Sequence, residues 1–326
     1  IDEKSICGYS VKTSKIVNIP DAYSIPESMP YSFNIQSDQI TGYRSKSILT
    51  LPLITSDGKV LGVLQMINAM DSNGNIIPFD KDAELFLVHF AASAAQALER
   101  TYLTRSMIMR MIRMAELRDP KETGMHVLRV SNYSVEIFDR WAVEHEIPLI
   151  EKEKFRDELK IASMLHDVGK VGISDLILKK EGSYTNEEFN TIKRHTFFGA
   201  SLFTDINSSI DSMAKEVALH HHERWDGSGY PGKASQEDIE KCLSSDLNLN
   251  NPGLVGDEIP LAARIVALAD VFDALSSKRV YKKAWKEADV FAEIQAQAGK
   301  HFDPELVSVF FKIIDRIRAI KNSFED

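Results

Sequence analysis

The strongest indication of the fold comes from residues 161–171, Ile-Ala-Ser-Met-Leu-His-Asp-Val-Gly-Lys-Val. Its apolar positions predict a buried helix that ends in the adjacent pair His166-Asp167, with Lys170 close behind. Ionisable side chains are seldom buried without a partner, and a divalent metal is the simplest partner for this pair. We therefore predict a helical domain built around a metal centre, against the alternative of a buried His-Asp pair with a purely structural role.

Helical periodicity extends from this stretch through most of the chain after Pro120. It covers residues 122–145, 151–169, 186–204, 210–223, 260–276, 285–298 and 304–320. Thr185 and Glu188 have the spacing of a capping box, and Asp303-Pro304 places a cap and a first-turn proline where the last helix begins. Residues 232–258 are polar and irregular, which predicts a long surface excursion.

The beginning of the chain has a different pattern. Residues 1 to about 80 predict strands and turns, in which residues 46–54 and 60–67 form a hairpin. Asp80 then caps a predicted helix that meets no clear breaker before Asp119-Pro120.

This long helix divides into two parts. Over residues 81–98 we expect it to pack on its own sheet. Over residues 99–117, where Met107, Met111 and Met114 recur at helical spacing, contact with a second copy and ordinary core packing are equally open.

The composition sets limits on the class of protein. A chain of 326 residues suits two domains, and its net charge of −9 excludes a general attraction to nucleic acid polymers or anionic membranes. The two cysteines, Cys7 and Cys242, lie far apart, so we expect a reduced, cytoplasmic protein. No stretch has the length and apolar character of a membrane span. The first residue is Ile rather than Met, which indicates a truncated chain.

Other histidines and carboxylates repeat the chemistry of the opening stretch. They are Glu122 with His126 four positions later, His195, the run His220-His221-His222 followed by Gly229-Tyr230-Pro231, and Asp270 with Asp273 in an apolar helix. Each pattern alone also has a structural explanation: an ordinary helical contact, a core histidine, a surface turn or a helix cap. One of the two aspartates is expected to face a metal and the other to make a hydrogen bond. The cations Arg279, Lys282 and Lys283 suit either a solvated helix end or a phosphate clamp.

In this order the motifs resemble the HD-GYP family over residues 112–320, and the segment from His221 to Pro231 is very specific for it. The family consists of bacterial phosphodiesterases for the second messenger cyclic di-GMP. The resemblance implies an all-α, HD-type helical bundle. It also implies two or three divalent metal ions, most often iron or manganese, and we expect iron.

The resemblance also implies roles for single residues. The implied metal ligands are Glu122, His126, His166, Asp167, His195, His221, His222 and Asp270, with Asp167 bridging two ions and Glu122 adding a third. Lys170, Arg279 and Lys282 match positions that contact substrate phosphates, and Gly229, Tyr230 and Pro231 shape the pocket. Asp167 and Lys170 are the implied catalytic residues.

The first domain is similar to the later part of a GAF domain, an α+β sensor fold. The similarity rests on residues 47–53, 62–68 and 79–82, and it implies that the opening helix and first strands are missing. We expect a scaffold or dimerisation role for this domain. The predicted organisation is a GAF-like domain over 1–98, a connecting helix over 99–117 and a helical domain over 118–326, in a homodimer joined by the first two.

The expected activity is hydrolysis of cyclic di-GMP to linear pGpG, to GMP or to both, by a hydroxide held between metals. The sequence leaves two alternatives open. One is hydrolysis of a related cyclic dinucleotide such as cyclic GMP-AMP, and the other is a non-catalytic receptor for cyclic di-GMP.

Overall fold

A computed structural model describes residues 2–116, 124–244, 247, 249, 251–277 and 284–324. The chain divides into two compact units, Ile1–Met109 and Arg110–Asp326.

The first unit is a small α+β domain. Its elements are α1 Ile6–Thr13, β1 Val17–Ile19, α2 Ile35–Thr41, β2 Ile48–Ile54, β3 Val60–Ile67, β4 Ala69–Met70, β5 Ile76–Ile77 and α3 Lys81–Glu116, with a 3-10 turn at Ala22–Ser24. The strands β1, β2 and β3 form an antiparallel sheet in that order, and β4 pairs with β5. In β2 and β3, Leu51 lies opposite Leu64, which confirms the predicted hairpin.

Strand β2 lies at the centre of the sheet and is buried on both faces. Leu49, Leu51 and Leu53 point toward Ala91 and Ala95 of α3. On the other face Ile48 joins a cluster that includes Ile6 of α1. Residues 81–98 therefore pack on their own sheet, as predicted.

Helix α3 begins where the sequence indicates. The backbone amide of Ala83 donates to the Asp80 carboxylate at 2.8 Å, which confirms Asp80 as the cap. The prediction of only strands and turns before it was wrong, because α1 and α2 are helices. Each begins at a capping side chain, Ser5 or Asn34, but is too short to show a helical period.

The second unit is built of helices and connecting loops, with no strand among its described residues. Its helices are α4 Gly124–Glu144, α5 Leu149–Ala162, α6 Asp175–Leu178, α7 Asn186–Lys193, α8 His195–Ser201, α9 Ser209–His220, α10 Gln236–Glu240, α11 Leu261–Ser276, α12 Glu287–Ala296, α13 Pro304–Lys312 and α14 Ile314–Ser323. Helix α4 packs against α5, α11, α13 and α14, and α9 packs against α5, α8 and α11. The rings of Tyr133, Phe272 and Phe310 pack edge to face in this core, with neighbouring ring centroids 5.1–5.2 Å apart.

Two predicted helix starts are confirmed. Thr185 and Glu188 form the capping box of α7. The Asp303 side chain accepts a hydrogen bond at the start of α13, with Pro304 in the first turn.

Three predicted segments are broken where we expected continuity. The segment 186–204 splits at Arg194 and the segment 304–320 splits at Ile313. The segment 151–169 ends as an α-helix at Ala162, and His166-Asp167 lie between two 3-10 turns, Ser163–Leu165 and Val168–Gly172. The tighter turns bring this pair against α8, as described below.

The predicted surface excursion at 232–258 has some regular structure. Its described residues include α10 and a 3-10 turn at Gly256–Glu258. Among the residues described, no helix has both the length and the hydropathy to cross a bilayer.

Candidate metal centre

Seven of the described side chains converge in two groups that have the composition of metal sites. Within each group every residue offers one imidazole nitrogen or carboxylate oxygen, and these atoms lie within 4.8 Å of one another. The first group consists of Asp167, His195, His221 and His222, and the second of His126, His166 and Asp270. The structure thus brings together the described residues that sequence analysis singled out as ligands.

Separate elements of the second unit supply these side chains. They are α4 for His126, the link between two 3-10 turns for His166 and Asp167, the first residue of α8 for His195, the residues after α9 for His221 and His222, and α11 for Asp270. Each element packs directly against at least one of the others. The centre therefore depends on the packing of the whole helical core.

A close backbone contact joins the turn after Asp167 to helix α8. A Cβ atom at Gly169 would lie 1.9 Å from the His195 carbonyl oxygen and 2.3 Å from the Gly199 nitrogen. Only glycine allows the turn after Asp167 to approach α8 so closely. As a result, His195 Nε2 lies 3.3 Å from Asp167 Oδ1.

Four imidazoles are oriented in the same manner, each through its Nδ1 atom. Three of the Nδ1 atoms contact backbone carbonyls and the fourth contacts a carboxylate, all of which only accept hydrogen bonds. The contacts are His166 with the Ser163 carbonyl at 2.7 Å, His195 with Ile192 at 2.6 Å, His221 with Val217 at 3.0 Å, and His126 with Asp273 Oδ2 at 2.8 Å. Each Nδ1 therefore bears the proton, and each Nε2 presents a lone pair to the centre.

Asp167 lies between the two groups. Its Oδ1 atom is near His195 Nε2 and 3.7 Å from His221 Nε2, whereas its Oδ2 atom is 3.2 Å from His166 Nε2. In the second group His126 Nε2 lies 3.5 Å from Asp270 Oδ1. A carboxylate in this position can contact an ion in either group.

The electrostatics keep these groups in the ionisation states that bind metals. Burial raises the pKa of Asp167, but Lys170, His166 and His221 outweigh it and hold the pKa well below its usual range. Burial lowers the pKa of His195 to about 3 and lowers that of His222 well below its usual value. At neutral pH the carboxylate is charged and these two imidazoles are neutral.

The donor set fits divalent metals. Asp167 Oδ1 and His126 Nε2 are buried and have no hydrogen-bond partner among the described residues. A buried polar atom in that state is costly unless a ligand takes it. Imidazole and carboxylate donors without a thiolate suit iron, manganese, cobalt, nickel or zinc.

The predicted substrate-contacting residues fall into two sets. Lys170 Nζ lies 2.8 Å from Asp167 Oδ2, and the Tyr230 ring is centred 4.9 Å from the His222 ring. Gly229 packs tightly on the backbone at Arg224, and Pro231, joined to Tyr230 by a cis peptide bond, is buried. Arg279 and Lys282, the other predicted phosphate contacts, lie outside the described residues, as does the predicted metal ligand Glu122.

Sequence reasoning missed the cation behind His126. Arg129 is buried, and its Nε and Nη2 atoms donate to the two oxygens of Asp273 at 2.7 and 3.0 Å. Asp273 in turn accepts from His126, so the hydrogen-bonding aspartate of the pair is Asp273 and Asp270 faces the second group. An arginine between Val127 and Val130 on the apolar side of a helix was the available signal.

Sequence reasoning also gave no role to Glu223. Its buried carboxylate accepts from the Gly232 amide at 2.5 Å and from the Leu254 amide at 3.3 Å. It thereby ties the end of the 232–258 excursion to the loop that holds Tyr230. A carboxylate directly after two predicted ligands was the signal in the sequence.

Comparison with models of protein families also separates the first unit of the chain from the second. The model of the HD domain matches residues 123–275, and a second HD domain model matches residues 251–306. The model of the GAF domain matches residues 1–98.

Several curated proteins resemble the second unit. A 3'3'-cGAMP-specific phosphodiesterase 2 of Vibrio cholerae is 40% identical over 206 residues, which cover 63% of this chain and 34% of that protein. A cyclic di-GMP phosphodiesterase of the same species is 38% identical over 218 residues, covering 65% of this chain and 40% of that protein. A cyclic di-GMP phosphodiesterase of Thermotoga maritima is 36% identical over 247 residues, covering 76% of this chain and 56% of that protein.

The chain thus spans between a third and a little over half of the length of these relatives. The domain matches and the order of the motifs agree with the geometry of the two ligand groups. The chain therefore consists of a GAF domain followed by an HD domain.

Proposed function

We propose that this chain is a metal-dependent phosphodiesterase that hydrolyses cyclic di-GMP to linear pGpG, to GMP or to both. The observation that supports this most directly is the placement of Asp167 between two groups of imidazole and carboxylate donors. Two adjacent metal sites can stabilise both the attacking and the leaving oxygen in phosphodiester hydrolysis. The names of the Vibrio and Thermotoga relatives support the choice of substrate.

The proposed ligands are the seven described donors and Glu122. Glu122 lies four positions before His126 in the sequence and is proposed to bind a third ion. Divalent ions, which we propose to be iron with manganese as the alternative, polarise phosphoryl oxygens and lower the pKa of water toward ~7. The protein contributes the fixed orientation of its imidazoles and the charge of Asp167.

Lys170 has a separate role in this proposal. Its ammonium group lies beside Asp167 and can also donate to a phosphate oxygen, where negative charge increases in the transition state. Arg279 and Lys282 are proposed to contact the other phosphate. Gly229, Tyr230 and Pro231 are proposed to form the wall of the pocket next to His222.

A second substrate is supported by one specific observation. A relative with 40% identity is named for 3'3'-cGAMP, which shares both phosphodiester linkages with cyclic di-GMP and differs in one base. The ligand groups do not distinguish these two substrates, so the choice depends on the residues that contact the bases.

We also propose that the protein is a homodimer joined through the GAF domain and the connecting helix over residues 99–117. In support, Met107, Met111 and Met114 are 56–68% exposed at helical spacing. Apolar side chains exposed in a row are typical of a surface that contacts another protein.

The activity is tested with protein purified without oxygen and loaded with Fe(II) or Mn(II). Wild type is expected to convert cyclic di-GMP to pGpG, to GMP or to both, and Asp167→Ala is expected to lose about 100-fold or more of kcat. The matched control is Asp315→Ala, which removes an aspartate that is 92% exposed and is expected to keep full activity.

Absence of turnover with either metal would contradict the proposed activity. If wild type binds cyclic di-GMP without turnover and Asp167→Ala binds it equally well, the receptor alternative is favoured. Comparing kcat/KM for cyclic di-GMP and 3'3'-cGAMP separates the two substrates.

A further inference from the structure

A lysine beside the candidate centre rests on aromatic rings rather than on carboxylates. Lys193, the last residue of α7, places its Nζ atom 5.0 Å from the ring centroid of Phe189 and 5.4 Å from that of Tyr230. It forms no ion pair with any described residue. In a chain with 48 acidic and 39 basic residues, that is an uncommon setting for an ammonium group, and it leaves the charge available to a ligand.

The two rings connect this lysine to the metal ligands. The Tyr230 ring is centred 4.9 Å from the His222 ring at an interplanar angle of 32°. Phe189 meets Tyr230 edge to face, with centroids 6.1 Å apart and planes at 83°. His222, Tyr230 and Phe189 therefore form a continuous row that leads away from the first ligand group.

The outer end of this row is open to solvent. Phe189 is 42% exposed, although it lies on a helix whose other contacts are with α6 and α8. A large exposed ring next to an unpaired cation can offer its face to a planar, polar ligand. The phosphate of a dinucleotide held at the ligand groups would bring one of its bases toward this ring.

We propose that Phe189, Lys193 and Tyr230 form a nucleobase subsite that selects guanine. The base stacks on Phe189, as bases do on aromatic side chains that bind single strands. The Lys193 ammonium is a donor only, and guanine presents the acceptors O6 and N7 on one edge, where adenine presents an amino group beside N7. The inference rests on the proposed function, since it places the base by means of a phosphate at the metal centre.

The test measures KM and kcat for cyclic di-GMP and the inhibition constant of cyclic di-AMP. Phe189→Ala is expected to raise KM about tenfold and to weaken inhibition similarly, with kcat changed by less than about threefold. Phe189→Tyr, which keeps a stacking ring, is expected to remain near wild type. A purely structural role for Phe189 would not separate KM from kcat in this way.

Lys193→Met tests the selection of guanine. It is expected to raise KM for cyclic di-GMP about tenfold and to leave the inhibition constant of cyclic di-AMP unchanged or lower. The matched control is Lys179→Met, which removes a lysine that pairs with Asp175 on the surface and is expected to behave as wild type.

Two results would overturn the subsite while leaving the phosphodiesterase intact. One is unchanged KM in both Phe189→Ala and Lys193→Met, and the other is an equal loss for both dinucleotides in Lys193→Met. If wild type shows no turnover, the proposed function itself has failed. In that case the subsite is tested by calorimetry, which compares the affinities of wild type, Phe189→Ala and Lys193→Met for cyclic di-GMP.

Discussion

At the scale of single residues, the second ligand group shows how a buried arginine can act on a metal site without touching it. Arg129 holds both oxygens of Asp273, and Asp273 holds Nδ1 of His126. Burial raises the pKa of Asp273, but its bonds to His126 and Arg129 outweigh this and lower the pKa overall. The carboxylate therefore stays charged and fixes both the tautomer and the direction of His126.

Replacing this carboxylate is expected to weaken one ligand group selectively. In Asp273→Asn the amide cannot accept from both Arg129 and His126 as the carboxylate does, so the affinity of the His126 group for metal is expected to fall about 10–100-fold. Elemental analysis after dialysis should show about one ion fewer per chain, with the Asp167 group still loaded.

The control for this prediction is Asp139→Asn, which alters a partly buried aspartate that pairs with Lys152 and Arg156, outside both ligand groups. Equal metal content in Asp273→Asn and wild type would show that Asp273 does not orient His126.

The residues that sequence analysis singled out as candidate donors are the ones that the structure brings together in the two groups. His166-Asp167 could be identified because two ionisable residues interrupt an apolar run. The choice between Asp270 and Asp273 could not be made, because both lie on α11 three positions apart and the answer depends on where α4 packs. The role of Glu223 likewise depends on Leu254, 31 positions later in the chain.

At the scale of elements, helix α3 has two kinds of surface. Ala91 and Ala95 pack on the sheet, as the sequence predicts. Farther along, Leu103, Met107, Met111 and Met114 recur every three to four residues and are 54–68% exposed. This spacing places them on one face of the helix.

A charge on that face is expected to weaken the proposed dimer. Met107→Glu places a carboxylate in the middle of the apolar row, and the dimer dissociation constant is expected to rise at least about tenfold. Sedimentation velocity over a range of concentrations measures it. Thr101→Glu adds the same charge on another side of the helix and should leave association unchanged. Identical sedimentation of Met107→Glu and wild type would exclude this face from the interface.

Long elements were predicted better than short ones, for a physical reason. The hairpin β2–β3 and the helices α4, α9 and α11 contain enough residues to display their period. Helices α1 and α2 have eight and seven residues and begin at their caps, and α1 also packs on β2 and β3. The break at Arg194 arises from tertiary packing, which local periodicity does not contain.

At the scale of the whole molecule, the proposed ligands are distributed over the second unit, so metal binding is expected to stabilise its folded state. Side chains from α4, the Asp167 turn, α8, the end of α9 and α11 meet at one place. Ions that bind only the folded state stabilise it according to their concentration and affinity. The first unit contains none of the described ligand groups.

Chelation is therefore expected to lower the melting temperature of the second unit alone. With free metal at about 100 times its dissociation constant, the stabilisation lost is about 2.7 kcal/mol per site. For a unit of this size that corresponds to a shift of about 5–10 °C. Differential scanning calorimetry of the full chain with and without chelator measures it, and the transition of the first unit is the internal control. A second-unit transition that does not move would contradict the linkage.

The motif order was sufficient to predict, from the sequence, a GAF domain followed by an HD-type helical domain. The motif order did not predict the row of aromatic rings from His222 through Tyr230 to Phe189, because no motif includes Phe189 or Lys193. Those two residues lie on α7, and only the folded chain brings them to Tyr230.

The close approach at Gly169 has a consequence for anyone who tries to copy this centre. Transplanting the histidines and aspartates onto another helical scaffold would fail if the recipient had even a methyl group at the position of Gly169, because the two backbones would be pushed apart. In a saturation mutagenesis screen Gly169 would appear as intolerant as a ligand. A design based on this protein must therefore keep glycine at this position as well as the metal-binding side chains.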